Sequence, residues 1–113
     1  MIQTKRAYQE AAGSDGYRIL VDRLWPRGVS KEDAKLDVWL KEVGPSTELR
    51  EWFGHKPERF TEFAKRYKAE LRDNPAFEEL RKLCEQHKTL TLVYSAKNEA
   101  HNQAVVLQEI LKS

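Results

Sequence analysis

Sulfur and net charge are both scarce in this chain. A single cysteine, Cys84, among 113 residues excludes an intrachain disulfide framework, and no cluster with metal-ligand spacing accompanies it. The formal net charge is only +2, from 20 Lys and Arg against 18 Asp and Glu, and the two signs alternate along the chain. A non-specific nucleic-acid coat needs a concentrated basic excess, so nucleic acid is not expected as a partner. No apolar run approaches the roughly 20 residues of a membrane span, and none opens the chain. Neither membrane insertion nor a signal peptide is therefore expected, and the reducing cytoplasm is the expected compartment. With only 5 Gly and 4 Pro, no segment reads as an interdomain linker, and no repeat or low-complexity stretch is present. There is also no Gly-rich phosphate loop, no His-Glu-x-x-His and no nucleophile elbow, so no metal and no cofactor is expected.

What is present is enough for one modest core. Hydrophobic residues make up 40% of the chain, with three Trp, four Phe and four Tyr, which argues against disorder. The length fits a single domain over residues 1–113. Ile2 to Lys5 reads as a short first strand, Ala11 to Gly16 as a loop, and Tyr17 to Val21 as a strand covered on both faces. Ser30 with Asp33 fits a capped helical turn. Leu36, Val38 and Leu40 alternate with Asp37, Trp39 and Lys41 and predict a third strand. Ser46 can cap a short helix carrying Leu49, Trp52 and Phe53, with Gly54 to end it. Pro57 suits the first turn of a helix whose stripe is Phe60, Phe63, Ala64, Tyr67 and Leu71. Asp73-Asn74-Pro75 interrupts, and Phe77, Leu80, Leu83 and Cys84 form the stripe of the next helix. Thr89 to Tyr94 is β-favouring, and a last helix is predicted from about His101 to Leu111. This alternation predicts a small single-domain three-layer α/β fold, its short, mainly parallel sheet flanked by helices.

Two strand-to-loop junctions carry the chemistry. Ile19-Leu20-Val21 runs into Asp22-Arg23-Leu24-Trp25-Pro26-Arg27-Gly28, and Leu90 to Tyr94 runs into Ser95-Ala96-Lys97-Asn98-Glu99-Ala100-His101-Asn102. In open α/β sheets, ligands bind beyond the carboxyl ends of the strands. If the two strands are parallel neighbours, their loops converge on one pocket. Arg23, Arg27 and Lys97 would hold charge, Arg by planar bidentate bonds to phosphate or carboxylate. Ser95 and Asn102 would add hydrogen bonds, and the start of the last helix a favourable dipole. Asp22 and His101 are the candidates for proton transfer, since a helix N-terminus favours the neutral imidazole that a general base requires. A Ser95 nucleophile with His101 as base is conceivable on the same grounds. The plainer alternatives are equally concrete. Asp22 fits a structural bridge to Arg23, Arg27 or Lys97. Trp25, as a large aromatic, is expected chiefly in the core, with a ligand platform as the alternative. Lys97 and Glu99 fit a solvated pair, and His101 fits a bond to a backbone carbonyl. His55 and His87 are not expected to be catalytic, and Cys84 is expected in the core.

Residues 19 to 32, Ile-Leu-Val-Asp-Arg-Leu-Trp-Pro-Arg-Gly-Val-Ser-Lys-Glu, resemble the signature of the YeaO-like group of the DUF-488 family. Trp39-Leu40-Lys41-Glu42, Pro45-Ser46, Trp52-Phe53-Gly54-His55, Tyr94 to Lys97 and His101-Asn102 resemble the same group. The resemblance spans nearly the whole chain and implies a small cytoplasmic bacterial α/β protein with no established activity. The wider family often carries a Cys-His-Arg element near His101-Asn102. Here Ala100 and Asn102 flank the histidine, so a cysteine nucleophile is not expected. The function expected is a site for a small anion, a phosphate- or carboxylate-bearing metabolite, with enzymatic turnover left open. The alternative is a non-catalytic interaction module or a nucleic-acid-associated regulator, presenting Lys65, Arg66, Lys68, Arg72, Arg81 and Lys82. The carboxylates interleaved with those residues fit a solvated helix face instead.

Overall fold

A computed structural model describes residues 1–112. Four strands, β1 (Ile2–Arg6), β2 (Tyr17–Leu20), β3 (Val38–Trp39) and β4 (Leu90–Tyr94), form one sheet in the order β1-β4-β2-β3. Every pairing is parallel, with Ile2 and Tyr17 both opposite Leu90 and Leu20 opposite both Val93 and Trp39. The last strand thus lies between the first two. All four carboxyl ends emerge on one edge.

Strand alternation sorts the side chains onto two unlike faces. Ile19 and Val21 of the β2 segment, with Leu90, Leu92 and Tyr94 of β4, meet the main core. That core is closed by α2 (Thr47–Phe53), α3 (Phe60–Arg72), α4 (Pro75–Gln86) and α5 (Gln103–Lys112). The opposite face is thinner. Leu20 and Val93 pack with Ala7, Trp25, Leu36 and Trp39 in a second, small cluster, beside the single helical turn α1 (Lys31–Ala34). The rest of that face is polar. Arg18, only 4% exposed, bonds Asp15 at 2.6 Å and the carbonyls of Ala34 and Lys35. Lys5 reaches the same carboxylate at 3.0 Å. Burial pushes the Asp15 pKa up, but hydrogen bonds from the Ala12 N–H, Lys5 and Arg18 outweigh it and hold the group below the usual carboxylate range.

Local signals place most boundaries. Ser30, Ser46 and Asn74 each accept a backbone N–H in the first turn of the helix they precede, from Asp33, Leu49 and Ala76. Gly54 ends α2 at φ 54°. Pro57 opens a 3₁₀ turn, Pro57–Arg59, that leads into α3. Gly16, at φ 67°, lies where an added Cβ would stand 2.2 Å from the Thr89 carbonyl oxygen. The third strand is shorter than alternation predicts. Leu36 follows Lys35, which is left-handed at φ 45°, and packs with Trp39 in the small cluster, whereas Val38 and Leu40 meet the main core. The period of two therefore holds only briefly. The last helix begins at Gln103 rather than near His101. Asn98 Oδ1 accepts the N–H groups of Ala100 and His101, and Asn102 Oδ1 accepts that of Val105. A capped turn thus precedes the helix. Among the described residues no helix is long and apolar enough to cross a membrane, and no cluster of His, Cys, Asp or Glu could hold a metal ion.

Candidate functional site

β2 and β4 are adjacent, and the chain leaves them toward opposite faces. After β2 it passes to Trp25 and α1 on the thin side; after β4 it passes to α5 over the main core. A crevice opens where such paths diverge. Asp22 stands at the end of the β2 segment and Ser95 at the end of β4. Asp22 Oδ2 accepts the Ser95 backbone N–H at 2.8 Å and its hydroxyl at 3.1 Å. Asp22 Oδ1 accepts Nε2 of Gln103, which is itself 7% exposed. Burial pushes the Asp22 pKa up, and those three bonds together with the charge of Arg50 pull only part of the way back.

This carboxylate lines a partly open cavity of about 370 Å³. Pro45, Phe53 and Phe63 supply apolar wall, and Arg23, Arg50, His55 and the exposed Glu51 stand around it. The Phe53 and Phe63 rings are stacked, 4.3 Å between centroids. Arg23 is largely committed elsewhere. Its Nε donates to the carbonyls of Gly44 and Pro45, and Nη1 lies 3.4 Å from Glu42, so it ties the β2 exit to the loop after β3. Arg50 differs: among the described residues its guanidinium has no hydrogen-bond or ion-pair partner, and it feels Asp22 only through space. His55, exposed at the rim, holds a left-handed φ of 58°, a conformation uncommon outside glycine.

The proposed convergence is therefore realised for four of the residues expected there. Asp22, Arg23, Ser95 and Asn102 share this cavity, Asn102 as the buried cap of α5. The others lie elsewhere. Trp25 turns to the thin face, edge-on to Trp39 at 5.4 Å, with its indole N–H donated to the Val29 carbonyl. Its role is packing. Arg27 is exposed on the far side of that loop, where its carbonyl accepts the Tyr8 hydroxyl. Lys97 is exposed and does not line the cavity. The His101 ring packs edge-on against Phe60 at 4.9 Å, and its buried Nδ1 has no partner. No hydrogen bond joins His101 to Ser95 or Asp22 among the described residues, and the Ser95 hydroxyl donates to Asp22 instead. The Ser95–His101 pair is not assembled.

Three polar lining residues escaped the sequence reading, Arg50, Glu51 and Gln103, while His55 is among the residues not expected to be catalytic. Gln103 had a signal, an amide standing directly before the apolar run Ala104 to Leu107. Arg50 and Glu51 gave none, because the crossing of α2 over the strand ends is a tertiary fact. Cys84 and His87 are remote from the site. Cys84 packs against the main core, where burial pushes its thiol pKa up, and His87 stacks on Tyr17.

A wider, more open groove of about 1010 Å³ follows β3 and the α3–α4 turn. Its polar groups are mostly engaged. Glu42 pairs with Arg23, Glu70 accepts the Ser46 N–H and hydroxyl, and Lys41 lies over the Trp39 ring.

A family model described as "Inactive DUF488-N3 subclade" matches residues 1–113. The chain is 49% identical over 114 residues to the uncharacterized protein YeaO of Escherichia coli K12, covering 99% of this chain and 97% of that protein. It is 46% identical over 110 residues to the uncharacterized protein Rv3073c of Mycobacterium tuberculosis H37Rv, covering 97% and 92%. No solved structure matches the chain.

Proposed function

The chain belongs to the DUF488 family, within a subclade described as inactive, and from that premise we propose that it binds a small phosphate- or carboxylate-bearing metabolite without transforming it. The observation that carries this reading is the unpartnered guanidinium of Arg50 in the wall of a 370 Å³ cavity. A guanidinium keeps its five donors at any physiological pH. One left without partners beside a cavity is a ready receptor for a planar or tetrahedral oxyanion. The cavity volume lies at the small end of the range for metabolite sites, about 300–1,000 Å³. The absence of turnover is supported by the same geometry. Ser95 gives its proton to a carboxylate that two other donors already hold, and His101 faces Phe60. No cysteine stands at the site.

The interaction-module alternative receives less support. Arg66 pairs with Glu62 at 2.9 Å and Arg81 lies 3.9 Å from Glu78, as on a solvated helix face. A cytoplasmic location belongs to the proposed reading.

A thermal-shift series with inorganic phosphate, sugar phosphates, nucleotides and small carboxylates tests it. A ligand at a hundredfold excess over Kd stabilises the native state by about 2.7 kcal/mol, which moves a domain of this size by several degrees. At least one anion should give such a shift, and Arg50→Ala should remove it while keeping the fold. If no anion shifts the wild type, or if Arg50→Ala responds as the wild type does, the reading is wrong.

A further inference from the structure

We infer that the metabolite is a hydroxylated anion of the sugar-phosphate class, with a hydroxyl donating to Asp22 and the anionic group held by Arg50. This rests on the anion-binding reading and adds the other half of the ligand. The starting point is an apparent contradiction. A cavity made only for an anion has no use for a carboxylate in its wall, since like charges repel in a desolvated site. Yet two carboxylates line this one, Asp22 and Glu51. Glu51 is exposed to solvent, whereas Asp22 is fixed from three directions by the Ser95 N–H, the Ser95 hydroxyl and the Gln103 amide.

A carboxylate offers about four acceptor positions. Two donors occupy Oδ2 and one occupies Oδ1, leaving one position on Oδ1 for a group in the cavity. A single vacant acceptor suits a hydroxyl. An ammonium carries three N–H donors and would leave most of them unmet there, so an amino acid fits less well. Carboxylates at the exits of strands in α/β sheets are apt receptors for sugar hydroxyls. The remaining wall agrees. The stacked rings of Phe53 and Phe63 offer an apolar surface to the C–H face of a small carbon skeleton. The volume of 370 Å³ also exceeds what a bare tetrahedral anion would fill.

Calorimetric titration of the full chain with inorganic phosphate, n-propyl phosphate, glycerol 3-phosphate, ribose 5-phosphate and alanine separates the two halves. Propyl phosphate has the charge and the carbon chain of glycerol phosphate but no hydroxyl. The hydroxylated ligands should bind the wild type at least about tenfold tighter than propyl phosphate, as expected for a charge-assisted hydrogen bond in a buried site. In Asp22→Asn the charge assistance is lost, and that ratio should fall severalfold. Equal affinity for propyl and glycerol phosphate in the wild type overturns the inference without any variant, and so does a ratio that stays unchanged in Asp22→Asn. Tighter binding of alanine than of ribose 5-phosphate overturns it too. Where phosphates bind through Arg50 with no preference for hydroxyls, only this inference fails. Where no phosphate or carboxylate binds at all, the anion reading fails and takes this inference with it.

Discussion

Asp22 and Ser95 lie 73 residues apart, yet one carboxylate oxygen of Asp22 receives both the backbone N–H and the hydroxyl of Ser95. The bond pair joins the exits of the two central strands and fixes the mouth between them. Gln103 completes the set from the first turn of α5. One side chain therefore ties two strands and a helix at the place where the cavity opens.

Removing that carboxylate separates geometry from charge. In Asp22→Asn the amide oxygen can keep both bonds from Ser95, and the Gln103 amide can rotate to accept the new N–H. Folding stability should stay within about 1 kcal/mol of wild type. Asp22→Ala instead leaves the Ser95 N–H and the Gln103 amide without an acceptor, and should cost about 2–4 kcal/mol. Urea denaturation of both variants at neutral pH checks the contrast. Equal losses would mean that the three bonds contribute little.

Two aspartates should give acid stability curves of opposite sign. Asp15 has a folded pKa below its ordinary 3.8. Its contribution is fully present above that value and is lost as pH falls through the lower, folded one. Asp22 has a folded pKa above 3.8. In the window from 3.8 up to that raised value the native state binds more protons than the unfolded chain, so stability falls as pH rises through it. Asp15→Asn should therefore lose stability relative to wild type at neutral pH, with the gap narrowing below pH 3.8. Asp22→Asn should gain relative to wild type as pH rises from 3.8. Denaturation midpoints at successive pH values measure both differences.

Gly16 should tolerate no side chain. Its φ of 67° disfavours any L residue, and a Cβ would meet backbone, the Thr89 carbonyl, at 2.2 Å. Gly16→Ala should destabilise by more than about 3 kcal/mol, visible as loss of a cooperative melt or of soluble yield. Gly13→Ala is the control, since a Cβ there meets nothing within 4 Å.

His101 and Arg27 should prove dispensable for binding. His101→Leu removes a buried nitrogen that has no partner and keeps an apolar contact for Phe60, so melting should be unchanged or raised. Arg27→Ala changes an exposed side chain and should shift stability by less than about 0.5 kcal/mol. Both should keep any ligand response of the wild type. A lost response in either would put that residue back at the site.

What could be read in advance follows from the range of the forces involved. The helix caps at Ser30 and Ser46 are local hydrogen bonds between residues three apart, so the sequence carries them directly; the cap at Asn74 is equally local, but Asp73-Asn74-Pro75 reads only as an interruption. The parallel arrangement and the convergence of Asp22 with Ser95 followed from strand alternation and the habit of α/β sheets. Which way a loop side chain turns did not follow. Trp25 and Asp22 sit three apart on one loop but serve opposite faces of the sheet. Arg50 looks like any exposed helical base until α2 is laid across the strand ends. His101 and Gln103 are two apart, and the turn capped by Asn98 sends only Gln103 to the carboxylate.

The strand order β1-β4-β2-β3 has a consequence for biosynthesis. A ribosome releases β1 and β2 long before the segment that must slide between them, so the emerging polypeptide holds two ribbons with no mutual pairing. Residues 90–94 act as a keystone: the arch stands only once they arrive, and the binding hollow is among the last things to take shape. A nascent chain stalled before that point keeps only the short β2–β3 pairing and should be open to proteases over most of its length.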